Sequence, residues 1–402
     1  MPRSTTHPPP QRINASLLLL LSAVAAISPL GMVLLAPALD AIGERFNVDT
    51  SQTQFIVSAY LLGLALAQPI AGILCDRFGR RPVMLIGFAV FVVTSLVCAF
   101  VDSLELLIFM RFLQAAGVSV GTVTSRATVR DLNDAAGSAR AISYISAAMG
   151  LAPIIGPAIG GFISGAYGPQ AVFFVSAALG TLLWLWAFRA YPETADPAGR
   201  VHPTLDEWLM SYRDLLRSRE FLGYSIIYGL AQAVFFAFMA VGAAVFEADL
   251  GLGPEEFGAT WGLLAIAYVG GAVLTGKLAF SVSHRRLLWL GLLLIVIGSW
   301  ALLGLVLAIG VTWWTLTVPL VLLSGANGVV TPMSMAGAVS CRPQIAGTSS
   351  GLSSAIGLSL SGVFTIVAGS VYDGDFTNIA VMMALVATLT ASAGLLTRPP
   401  SN

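Results

Sequence analysis

The sequence predicts an all-α integral membrane protein of twelve transmembrane helices in two pseudo-symmetric six-helix bundles, and three observations carry that prediction. Hydrophobic residues make up 57% of the 402 and charged residues 10%, where ordinary globular chains carry about 25% charged residues, and mean hydropathy is +0.86. The apolar residues fall into twelve runs, each long enough to cross a hydrocarbon core of about 30 Å as a helix. The second half of the chain also echoes the first. Gly150-Leu-Ala-Pro-Ile-Ile-Gly-Pro-Ala-Ile-Gly-Gly161 aligns with the segment from Gly351 to Gly362, 201 residues on, with five identities in twelve, which makes the fifth and eleventh runs counterparts.

The runs cover roughly 15–39, 53–75, 83–101, 104–126, 141–165, 169–190, 221–245, 258–279, 286–309, 313–335, 347–370 and 376–396. The first follows a short basic tail and has the outline of a secretory signal with Ala23-Val-Ala25 as a cleavage site. Its continuation through Leu35 and Leu39 is instead the length of a span. A turn of about ten residues, Gly72 to Pro82, separates runs two and three and forces them antiparallel. The linker from Tyr191 to Glu220 carries Pro192, Pro197 and Pro203 among acids and arginines, and reads as solvated. Leu205 to Leu216 has the alternative of a short amphipathic helix on an anionic lipid surface. The resulting organisation is a tail at 1–14, a bundle at 15–190, the linker at 191–220, a bundle at 221–396 and a tail at 397–402. Period-two alternation, the mark of a membrane barrel, is absent, and forty-one glycines suit close helix packing in lipid.

With the N-terminus inside, eighteen of the twenty Lys and Arg fall on one side, Arg126, Arg130 and Arg140 among them. This asymmetry makes that side, and both termini, cytoplasmic. Formal net charge is zero, so nothing points to nucleic acid. Cys75, Cys98 and Cys341 fit no metal or redox spacing, and His7, His202 and His284 sit in tails or loops. No metal site, cofactor or enzyme chemistry is expected.

The turn Gly72-Ile-Leu-Cys-Asp-Arg-Phe-Gly-Arg-Arg-Pro82 resembles the signature loop between helices 2 and 3 of the major facilitator superfamily, and a degraded echo, Gly276-Lys-Leu to Arg286, lies in the second half. The resemblance implies a gating latch built from Gly72, Asp76, Gly79, Arg80 and Arg81. In it Asp76 lies at the N-terminal end of helix 11, here Gly347-Thr-Ser-Ser350, where free amides favour an anion. Arg80, four residues on, is placed to bridge Asp76 to Asp131 at the inner end of helix 4. The blander reading is that these arginines only obey the charge rule.

Arg111-Phe-Leu-Gln114-Ala-Ala-Gly117 resembles the superfamily's R-x-x-Q-G pattern on helix 4. An arginine seven residues into a span is retained for a partner or a function, since a central one costs about 2.5–3.5 kcal/mol; the alternative is snorkelling to the outer surface. Gly150, Gly156, Pro157, Gly160 and Gly161 resemble the antiporter motif of drug/proton exporters, with plain close packing as the alternative. The closest branch is that of the bicyclomycin and chloramphenicol resistance (Bcr/CflA) transporters, through Pro37-Ala-Leu, Tyr60-Leu-Leu-Gly with Gln68, Arg126-Ala with Arg130-Asp-Leu132, and Ala346-Gly-Thr-Ser-Ser-Gly. That branch usually carries an acid in helix 1, where this chain has Val33.

No carboxylate lies deep in a run, so Asp40, Glu247 and Arg111, with Gln114, are the candidates for proton coupling. Tyr228, Gln232, Phe235, Phe236 and Met239 in the seventh run, with Ser324, Asn327 and Thr331 in the tenth, are the candidate substrate contacts. Aromatic and methionine surfaces adapt to apolar ligands while hydroxyls and amides orient them, and a lipid-facing or core role is the alternative. The expected function is proton-coupled efflux of a small neutral or amphipathic molecule by a monomer in a bacterial inner membrane. The alternatives are an importer of the same fold and a membrane receptor or scaffold.

Overall fold

The computed structural model describes residues 13–48, 50–195, 205–252 and 254–397; the side chains of Asp40, Met239 and Glu247 lie outside the described residues. The described chain forms fourteen α-helices: α1 (Ala15–Val33), α2 (Leu39–Phe46), α3 (Thr50–Phe78), α4 (Arg80–Phe100), α5 (Leu104–Leu132), α6 (Ala135–Tyr167), α7 (Gln170–Ala190), α8 (Leu205–Arg217), α9 (Arg219–Ala248), α10 (Pro254–Leu278), α11 (His284–Ile309), α12 (Trp313–Ser340), α13 (Ala346–Val371) and α14 (Phe376–Ala393). Twelve of these, all but α2 and α8, are long and apolar enough to cross a membrane.

Helix ends follow local chemistry. The first run stops at Val33, because Pro37 lacks a donor and the chain turns through a 3-10 segment at Ala36–Ala38 before α2. The Ser103, Asp134 and Ser218 side chains accept amides in the first turns of α5, α6 and α9, and Thr312 with Thr315 forms a capping box on α12. Several helices outrun their apolar runs at the arginine-rich end. The fourth run was expected to end near 126, but nothing in residues 127–132 breaks a helix, so α5 carries Arg126, Arg130 and Asp131 as helical residues to Leu132. Within the linker, residues 205–217 form α8. This helix is docked, because Leu215 is buried and the Tyr212 hydroxyl donates to the Pro69 carbonyl at 2.9 Å.

The two halves pack by one repeated scheme. In the first, α5 sits against α3, α4 and α1, with α4 on α7 and α1 on α6. In the second, α12 sits against α10, α11 and α9, with α11 on α14 and α9 on α13. The apolar terms between helices are no better than those with lipid, so backbone approach at small residues does the holding. A Cβ on Gly121 of α5 would strike the Val24 carbonyl of α1, and one on Gly328 of α12 would strike the Tyr268 carbonyl of α10.

Across the halves, α3 packs on α13 and α6 on α10. Gly72 abuts the Gly347 carbonyl, Gly351 abuts the Gln68 carbonyl, and the Arg140 guanidinium lies 5.5 Å from the Phe280 ring centre. These contacts lie in the arginine-rich half. Toward the other end of α13, Gly362 and Gly369 face open space. The bundles are therefore closed together on the arginine-rich side.

Gly121→Ala is expected to lower the melting temperature of the detergent-purified protein, with a loss of order 1–3 kcal/mol from overpacking against backbone. Gly304→Ala, where an added Cβ meets nothing within 4 Å, is expected to leave it unchanged or raise it slightly.

Candidate functional site

Gly79 stands between α3 and α4 at φ 100°, a conformation closed to side chains with a Cβ, and so places Asp76 in the last turn of one helix beside Arg80 at the start of the next. Asp76 reaches across to the N-terminus of α13. Its Oδ1 accepts the Gly347 amide at 3.1 Å, and its Oδ2 accepts the Thr348 amide at 2.7 Å and the Thr348 hydroxyl at 2.6 Å. A carboxylate there satisfies amides that the helix itself leaves free and meets the positive end of its dipole. Arg80, 4% exposed, donates from Nη1 to Asp76 at 2.7 Å and from Nε to Asp131 at 3.1 Å. Gly72 lets the two backbones meet one turn away. Arg81 does not join this cluster: it donates to the Phe188 carbonyl of α7 at 2.7 Å, inside the first bundle.

Four residues around this cluster were missing from the sequence-based set. Glu193 accepts the Arg80 amide at 2.9 Å and the Arg81 amide at 3.4 Å, capping α4 from the segment that follows α7. Thr194 donates to Asp131 at 3.0 Å, and the Tyr191 and Thr128 hydroxyls pair. Glu193 lies in the tetrapeptide Tyr191-Pro-Glu-Thr, which the sequence places at the start of the linker. Its partner lies 113 residues earlier.

Arg111 is 1% exposed, so it does not snorkel. It donates to Gln114 Oε1 at 2.5 Å and to the Gly31 carbonyl at 3.2 Å, and lies 4.2 Å from the centre of the Tyr60 ring. Gln114 passes the chain on to Ser95 at 2.6 Å. Among the described residues no carboxylate pairs with Arg111; Asp40 and Glu247 lie outside the described side chains. On α6, Gly156 meets the Val33 side chain and Gly160 the Leu34 carbonyl, so this run seats the end of α1, while Gly161 touches Pro37 only at ordinary contact distance. Pro157 is exposed on the same helix. Gly150 instead faces the second bundle, against the Tyr268 ring.

The α9 and α12 stripes divide. Phe235 packs on Trp261 of α10, with ring centres 4.8 Å apart, and on its neighbour Phe236. Phe235 and Asn327 line a small apolar cavity inside the second bundle. Ser324 donates to the Leu264 carbonyl at 2.5 Å, and Thr331 to Asn327 at 2.7 Å. Gln232 is half-buried, and Met239 is outside the described side chains. Tyr228 reaches the first bundle, where its hydroxyl accepts from Arg126 Nη2 at 3.3 Å. Arg126, assigned from sequence to the aqueous side, is 3% exposed and also donates to Ser354 of α13 at 2.6 Å. Sequence reasoning lost it because the apolar run ends beside it.

Residues 21–366 match the family model described as Major Facilitator Superfamily. The chain is 26% identical over 343 residues to the bicyclomycin resistance protein homolog of Haemophilus influenzae, covering 85% of this chain and 86% of that protein. It is 28% identical over 384 residues, 94% of each, to multidrug resistance protein D of Escherichia coli. The solved proton:xylose symporter XylE superposes with a TM-score of 0.77 at 13% identity over 94% of each chain.

Asp76 holds α13 through three hydrogen bonds, two from amides and one from a hydroxyl. Asp76→Asn is accordingly expected to raise the alkylation rate of a cysteine placed at the fully buried Ser350 by about tenfold, the equivalent of one charge-assisted hydrogen bond. An unchanged rate would mean that the carboxylate does not restrain the closed side.

Proposed function

The chain belongs to the major facilitator superfamily, and from that membership and the geometry above we propose that it is a proton-coupled exporter of a small amphipathic molecule, working by alternating access. It is a multi-pass membrane carrier and not an enzyme. The observation that carries the reading is the Asp76 contact with the α13 amides, braced by Arg80 and Asp131. It ties one bundle to the other on one side only, which is what rocking about a central axis requires. When the bundles rock, α13 must leave Asp76, and its amides must find water.

Export is supported by the drug-resistance names of the relatives and by the glycine run on α6. Gly156 and Gly160 let α6 lie directly on the end of α1, making that corner of the first bundle stiff. The cargo would enter where the bundles part, against Tyr228, Phe235, Phe236 and the hydroxyls of α12. Proton coupling has no deep acid to use beside Arg111, so it would run through carboxylates nearer the helix ends, with Asp40 and Glu247 the outer candidates. The arginine asymmetry and the bacterial relatives support a bacterial inner membrane as its location, where a monomer would suffice.

The test is transport in everted vesicles from cells making the protein, with a panel that includes bicyclomycin and chloramphenicol. Energy-dependent accumulation of a labelled compound inside the vesicles, with substrate-triggered proton release and a drop of about tenfold or more for Arg111→Ala, is expected. Accumulation without proton movement would remove the coupling ion. Accumulation only in intact cells or right-side-out vesicles would make the protein an importer.

A further inference from the structure

Two arginines are buried in this molecule without an acid, and they differ in where they sit. Arg111 lies inside one bundle and is wrapped by Gln114, Gly31 and Tyr60. Arg126 lies between the bundles, five residues short of Asp131. Its Nη1 donates to Ser354 of α13 and its Nη2 to the Tyr228 hydroxyl of α9, with the guanidinium 5.7 Å from the Tyr228 ring centre. Its Nε–H is buried and finds no acceptor in the protein. Thr122, one turn along the same face of α5, and Ser350, one turn from Ser354 on α13, are buried hydroxyls in the same condition. Asp76 and Asp131, the acids of the neighbouring cluster, are already engaged by Arg80, Thr194, Thr348 and the α13 amides. Tyr268 of α10 stands beside the group, interacting with Ser146 of α6 and Thr331 of α12.

A buried guanidinium with neutral partners leaves its charge uncompensated, and its planar fork is matched by a carboxylate, sulfonate or phosphate ester. From these residues we propose that the cargo is an organic monoanion whose charged head is held by Arg126, Tyr228 and Ser354 while its apolar body lies toward the open side of the interface. The inference rests on the transport function proposed above and names its substrate class. One anionic head touching Arg126 from the first bundle and Tyr228 and Ser354 from the second makes occupancy sensitive to how the bundles are set.

The experiment is binding to the full-length protein in phosphatidylcholine nanodiscs, using matched triplets that share a body and differ in the head: 4-phenylbutyrate, 4-phenylbutanol and 4-phenylbutylamine, and the corresponding naphthyl set. The acid is expected to bind at least about tenfold more tightly than its alcohol, as one charge-assisted contact provides. That advantage disappears in Arg126→Gln and survives in part in Arg126→Lys, with both variants checked for an unchanged melting profile. Tyr228→Phe and Ser354→Ala each reduce it without abolishing it. The proposal is overturned if alcohols or amines bind as tightly as acids, if Arg126→Gln keeps the preference, or if no acid binds. Competition between the acids and added phosphatidylglycerol at Arg126 would also overturn it, by making a lipid headgroup the occupant. The two readings fail separately: neutral drugs accumulating in everted vesicles with no acid preference would leave export standing and sink the anion. An acid preference in nanodiscs with no vesicle accumulation of any class would do the reverse.

Discussion

The free amides at the N-terminus of α13 must be satisfied by water or by protein, and where the bundles close over that end the partner has to come from the protein. Asp76 supplies it from the other bundle. Because the partner is a carboxylate at a helix N-terminus, the contact is stronger than an ordinary hydrogen bond. Water can replace the carboxylate once the side opens, so it is also reversible. Other features at this end serve to keep Asp76 in place. Gly79 turns the chain so that Arg80 faces it, Asp131 holds Arg80 and is itself held by Thr194, and Glu193 caps the helix that Arg80 begins. The span-closing Tyr191-Pro-Glu-Thr segment is thus part of the same structure as the turn it follows by more than a hundred residues.

The paired packing schemes explain why such a contact can work as a gate. Within each bundle, helices touch through backbone at Gly121 and Gly328, contacts that cannot slide without a clash. Between bundles, glycines again let neighbours meet, Gly72 on Gly347, Gly351 on Gln68 and Gly150 on the Tyr268 ring, and the Asp76 bonds to the α13 amides are added to them. Those polar bonds can pass to water when the seam parts, which favours rigid-body rocking over deformation within a bundle.

Much of the fold could be read from the residues, because twelve apolar runs are a strong signal in a medium where only helices and closed barrels satisfy the backbone. Hydropathy failed at the helix ends. It stops where polar residues begin, whereas α5 continues as a helix through Arg126 to Leu132, so a residue at the bundle interface was placed in water. Local pattern did identify the cluster of Asp76, Arg80 and Asp131, whose members are set by a turn and by a single helix end. It could not identify Glu193 or Thr194, since their roles depend on partners brought near only by the packing of α7 against α4. The stripe on α9 divides for a related reason: helical spacing puts Tyr228, Phe235 and Phe236 on neighbouring faces, but only the tertiary arrangement decides that Phe235 meets Trp261 and Tyr228 meets Arg126.

The contrast between the two acid-free arginines has a mechanical consequence. Arg111 keeps Gln114, Gly31 and Tyr60 in any rigid-body rotation, because all belong to one bundle. Its environment is constant and its charge is a fixed feature of that half. Arg126 loses Ser354 and Tyr228 whenever the halves part on its side, and regains them when they close. Closing the seam over it removes water from a cation and returns only two neutral oxygens and one ring. Desolvation of that kind is costly unless the charge is paired. A cargo carrying the missing negative charge would lower the cost of closure, so the loaded carrier would change sides more readily than the empty one, and the residue that recognises the cargo would also set when the bundles move.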